Sequence, residues 1–86
     1  MKQIPPKKFN LHRSVKLFRK SQRTIVIEKH RKSRIIMKDG KKIFEIAKQI
    51  RKTEPSAHIV LETSAPICGK TKVYLSENNI TVNEHK

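Results

Sequence analysis

Four histidines, one cysteine and 21 lysines or arginines are the residues of this 86-residue chain that offer chemistry. The histidines, His12, His30, His58 and His85, share no metal-ligand spacing. Cleavage of a phosphodiester by general acid–base catalysis needs a His or Glu beside a Lys or Arg that steadies the phosphorane. His30 with Arg31 and Arg34, or His58 with Glu62, are the sets that supply those groups. They define one alternative reading, a small metal-independent ribonuclease of toxin type. A chain this rich in Arg and Lys produces such pairs by composition alone, so no catalytic residue is assigned. Neither a metal nor a cofactor is expected.

The cations carry the stronger signal. Residues 1–53 hold 18 Lys or Arg against Glu28, Asp39 and Glu45, whereas residues 54–86 hold three against four Glu. Self-repulsion on this scale disfavours a compact state unless a polyanion or counterions offset it. The clusters are Lys7 and Lys8; Arg13, Lys16, Arg19, Lys20 and Arg23; Lys29, Arg31, Lys32 and Arg34; and Lys41, Lys42, Lys48, Arg51 and Lys52. All but Lys29 are the expected nucleic-acid contacts. Exposed aromatics for base stacking are scarce, with Phe9 and Phe18 the only candidates, which argues against a single-strand reader. Duplex DNA or structured RNA, held by its backbone and largely independent of sequence, fits better. A second alternative is a basic module that docks on an acidic protein partner, such as a phage-type inhibitor of a host nucleic-acid enzyme.

The segment Ser64-Ala65-Pro66-Ile67-Cys68-Gly69-Lys70-Thr71 follows the apolar run His58–Glu62. It resembles a Walker A loop ending in Gly69-Lys70-Thr71. That loop wraps phosphates with consecutive backbone N–H groups. Ser64 stands in place of its first glycine, and Pro66 removes one donor. Only fifteen residues follow Thr71, too few for a nucleotide-hydrolysing fold. Pro66–Thr71 with Val73 and Leu75 also looks like the active-site turn of monothiol glutaredoxins, in which a helix start stabilises a thiolate. The strands and helix that should follow that turn are missing. A Pro-x-Cys turn is similar to the zinc turn of nucleic-acid deaminases, but Thr71 stands where the second Cys belongs. The simplest role for Cys68 is a small buried side chain.

The elements that must position these groups follow from periodicity and punctuation. Residues 1–9, with Pro5-Pro6 and three lysines, read as a flexible basic arm, and residues 10–86 as a single small domain. Asn10 is expected to cap a short cationic helix to residue 19 or 20, with Leu11, Val15 and Phe18 as its stripe. Residues 23–29 alternate as a strand, and 34–38 read as a second strand. Asp39-Gly40 is either a hairpin turn into a third strand or a helix start with Asp39 as N-cap; the helix over 41–52 is preferred, with Ile43, Ile46, Ala47 and Ile50 facing inward. His58–Glu62 is a strand, Ser64 caps a second helix running to Glu77, and residues 80–83 form a last strand. The expected fold is a small α+β sandwich, β-β-α-β-α-β after the arm and short helix, with a small mixed sheet packed by two helices. No run reaches a membrane span, and one cysteine with no signal sequence suits a cytoplasmic protein. The eight basic residues and no acid of residues 1–27 also suit a transit peptide, but the lysines continue through Lys52.

Overall fold

The computed structural model describes residues 2–30 and 32–84. Its sheet grows from the β-branched runs. Strand β3 (Thr24–Lys29) sends Ile25 and Ile27 to one face and Val26 to the other, and all three are buried. Branched side chains favour the pleat because they pack on it with little loss of rotamer freedom. Strand β4 (His58–Thr63) lies parallel to β3, with Ile25 beside Ile59 and Ile27 beside Leu61. Strand β5 (Ile80–Glu84) adds in parallel on the far side of β4. Strands β2 (Lys16–Arg19) and β1 (Lys2–Ile4) complete the other flank as an antiparallel meander, giving the order β1-β2-β3-β4-β5.

Helix α1 (Met37–Thr53) joins β3 to β4, and helix α2 (Gly69–Glu77) joins β4 to β5. Ile43, Ala47 and Ile50 of α1 and Leu75 of α2 close on Ile25, Ile27, Ile59, Leu61 and Ile80 in one apolar cluster. Val26 and Val60 are buried but stand outside that cluster, on the other face of the sheet. Both helices therefore cover one face, and the molecule is a two-layer α+β fold rather than a sheet packed on both sides. The helices meet where Gly40 faces Thr71. A Cβ on Gly40 would lie 2.7 Å from Thr71 Cγ2, so only glycine permits this approach. One turn further on, Phe44 and Tyr74 make an edge-to-face contact at 5.9 Å.

Several local expectations are corrected. The cationic helix over residues 10–20 is absent. Its place is taken by a loop and by β2, in which Leu17 is fully buried opposite Ile27. The helical stripe of Leu11, Val15 and Phe18 left Leu17 among the charges. A strand buries Leu17, and that burial together with pairing to β3 outweighs the helical period. Residues 1–9 are not a free arm. Lys2–Ile4 pairs with β2, and Pro6–Phe9 forms a 3-10 turn that buries Phe9 at 1% exposure. Asn10 ends that turn in the left-handed region at φ 57° instead of starting a helix.

The expected strand over 34–38 reduces to a single bridge between Ile35 and Ile67. There Ile35 N–H donates to the Pro66 carbonyl at 2.8 Å, and Cys68 N–H donates to the Ile35 carbonyl at 2.9 Å. Helix α1 begins four residues early because Asp39 caps from inside the first turn, its Oδ2 accepting Ile36 N–H at 3.1 Å. The chain bends at Ser64 and Ala65 and is then held by the same bridge at Ile67, so α2 starts at Gly69 and not at Ser64. Asn79 reverses the chain into β5 at φ 60°, as a left-handed helix stop should.

Candidate nucleic-acid interface

The parallel half of the sheet defines an upper edge, where β3, β4 and β5 end and where α1 and α2 both begin. Lys29, His30, Lys32 and Arg34 lie on or beyond the end of β3 at this edge, and Arg31 lies outside the described residues. From there α1 carries the charge downward. Its buried stripe of Gly40, Ile43, Ala47 and Ile50 turns Lys38, Lys41, Lys42, Lys48 and Lys52 outward, all exposed. Lys38 to Lys52 spans ~21 Å along the axis at 1.5 Å per residue. Lys48 lies 3.6 Å from Glu45 and sits over the Phe44 ring at 5.4 Å. Lys38, Lys41, Lys42 and Lys52 form no ion pair among the described residues.

Lys38 occupies the first turn of α1, where the helix dipole disfavours a cation and only Asp39 compensates. Helix stability therefore does not account for Lys38. The 3-10 turn extends the ridge sideways, since Gln49 Nε2 on α1 donates to the Phe9 carbonyl at 3.3 Å and brings Lys7 and Lys8 to the helix layer. Lys7, Lys8, Lys41, Lys42, Lys48 and Lys52 thus share one layer, with Lys32 and Arg34 at its upper end.

The remaining expected contacts are dispersed. Lys16 points from the opposite face of the sheet, in a row with Glu28, Glu62 and Asn83. Lys20 and Arg23 bound the β2–β3 turn at the lower edge, where the Arg23 carbonyl accepts His58 N–H at 2.6 Å. Arg13 is exposed in the loop before β2. Arg51 turns aside to donate to the Asn79 carbonyl at 3.0 Å. Arg19 points into the helix layer and grips Glu54, its Nη1 and Nη2 donating to Oε1 and Oε2 at 3.2 and 2.7 Å.

That bidentate pair holds the Glu54 carboxyl below the ordinary carboxylate range. Arg19 is the main cause, partial burial opposes it, and the Lys8 charge adds a smaller effect. A carboxylate with a lower pKa in the folded state adds stability above its unfolded pKa of ~4.3 and loses it as pH falls through the folded value. The urea midpoint should therefore drop on acidification below about pH 4, and Glu54→Gln should flatten that part of the profile. Urea melts at a series of pH values check this. An unchanged profile in Glu54→Gln would mean that other carboxylates carry the acid sensitivity.

Sequence reasoning missed Lys38, which it placed on a strand, and Lys70 at the start of α2. Lys38 stands three and four residues before Lys41 and Lys42, which was signal enough had the helix start been read correctly. Cys68 precedes α2 and is half-buried. The Lys70 N–H, then the Thr71 N–H, lowers its thiol from the ordinary range, although neither reaches capping hydrogen-bond geometry. His30 lies 3.5 Å from Glu28 at the upper edge, whereas His58 stands at the lower end of β4 and bonds Thr81 Oγ1 at 3.1 Å. His58 and Glu62 are four strand residues apart, ~13 Å, too far to act together. Among the described residues no three His, Cys, Asp or Glu side chains gather as a metal site, and no helix is long and apolar enough to cross a membrane.

The fold and the ridge together define a two-layer α+β protein with a cationic helix layer. Comparison with protein-family models, with curated proteins and with solved structures finds no match.

Proposed function

We propose that this chain is a nucleic-acid-binding protein that grips the phosphate backbone of duplex DNA or structured RNA without strong sequence preference. One observation carries the reading: Lys38, Lys41, Lys42 and Lys52 are exposed on the outer face of α1 with no ion pair among the described residues, and Lys38 stands against the helix dipole. A duplex offers one negative charge per ~1.7 Å of axis, so a ridge of ~21 Å faces several phosphates at once. The upper edge adds Lys32 and Arg34, and the 3-10 turn adds Lys7 and Lys8. Arg31 is proposed with them from the sequence alone. Lys16, Lys20, Arg23, Arg13, Arg19 and Arg51 are secondary in this reading, being turned away or held by the protein itself. Such a role suits a location inside the cell, in the cytoplasm.

Titration of duplex DNA and of structured RNA at several salt concentrations tests it. Six to eight phosphate contacts predict that log K falls with log salt at a slope of about −4 to −7. No binding at about 50 mM salt overturns the reading.

A further inference from the structure

The two outer strands of the sheet are built differently. Strand β1 has three residues, carries Lys2 and stops at Pro5, devices that keep an edge from pairing. Strand β5 has five residues, Ile-Thr-Val-Asn-Glu, with neither Lys nor Pro. An edge strand presents a row of unpaired backbone N–H and C=O groups. A groove of about 460 Å³ runs along this edge, between Lys72 and Ser76 of α2 and the strand residues Ile80, Thr81 and Val82. His58 and Asn79 close its lower end. Charge points to the same side. Residues 54–86 hold three Lys or Arg against four Glu, so a second, equally cationic copy meets least repulsion there.

We propose that β5 pairs with β5 of a second copy, antiparallel about a twofold axis at Val82, joining two sheets into one of ten strands. Thr81 then stands opposite the copy's Asn83 on the face away from the helices, a cross-strand pair able to hydrogen-bond. Lys72 and Ser76, which line the groove beside β5, are the α2 residues nearest the axis. A foreign extended peptide could use the same edge and would leave the free chain monomeric. The axis is perpendicular to the sheet, so both helix layers lie on one side. With helices ~10 Å apart in the order α1, α2, α2, α1, the two lysine ridges are ~30 Å apart. One duplex turn is ~34 Å. The pairing goes beyond the nucleic-acid reading and does not depend on it.

Sedimentation equilibrium without nucleic acid tests the pairing. At about 100 μM protein the mass should be about 20 kDa, twice the 10.1 kDa chain. Thr81→Lys with Asn83→Lys sets lysine against lysine in this register and should give a folded monomer, its far-UV circular dichroism unchanged. Thr81→Glu with Asn83→Lys sets opposite charges together and should restore the dimer. A monomeric wild type overturns the proposal, as does a dimer that the Lys/Lys variant leaves intact or a Glu/Lys variant that stays monomeric. If the Lys/Lys variant fails to fold, the wild-type and Glu/Lys masses still decide.

Discussion

Replacing Lys38, Lys41, Lys42 and Lys52 with Gln should weaken duplex binding about 10³-fold at ~0.15 M salt and make the salt slope shallower by about 3.6. Each phosphate contact contributes ~0.9 to the slope, so four lost contacts account for both figures. The side chains are exposed and form no ion pair among the described residues, and Gln keeps helix propensity close to that of Lys, so the fold should survive. Stability should change little, because losing Lys38 from the first turn of α1 and Lys52 from its last turn act on the helix dipole in opposite directions. The matched control is Lys16, Lys20 and Arg23 changed to Gln on the far face and lower edge. Binding isotherms for that triple variant should shift less than about tenfold, because these residues do not share the helix layer. Equal losses from the two variants would show that only total charge matters and that the ridge has no special place.

The second large effect is on stability. Phe9→Ala should cost about 3–5 kcal/mol, the usual penalty for emptying an aromatic site in a core. A domain of this size holds only about 4–13 kcal/mol in all. A urea melt should therefore show either a much lower midpoint or a chain already partly unfolded in buffer. The prediction separates two views of the N-terminus. In a free arm Phe9 would be solvated, and its loss would leave the melt within about 0.5 kcal/mol of wild type. With Ile4 and Phe9 both in the core cluster, the segment is a structural part of the sheet and its cover. Deleting residues 1–8 then removes strand β1 and exposes β2, so weaker binding in such a variant would report unfolding as well as lost lysines. Point substitution of Lys7 and Lys8 is the cleaner probe of their charges.

Much of the parallel half was legible from residue order. The apolar runs at 23–29 and 58–62 each belong to one element whose period has no close competitor, and the stripe Ile43, Ile46, Ala47, Ile50 outweighs the competing hairpin at Asp39-Gly40. The segments that misled are those in which two periods overlap. Leu11, Val15 and Phe18 fit a helix, while Leu17 opposite Ile27 fits a strand, and only the neighbouring strand decides between them. Ile35 and Ile36 suit a strand, but Ile67 offers Ile35 one bridge and no ladder, and Asp39 turns the chain into α1.

The chain's amino acids by themselves determine the charge, its confinement to residues 1–53, and a small α+β fold with a mainly aliphatic core. Those properties are sums and local patterns, which need no partner to be expressed. Which cations share a surface was decided only by tertiary structure. Burial of one stripe of α1 rotates five lysines onto a common ridge, and the pleat sends Lys16 and Arg19 to opposite faces of the sheet. Glu54, far along the chain, takes Arg19 out of the set. The basic first two-thirds is thus not a uniform polycation but a helix layer with an ordered row of lysines, set by how the sheet packs.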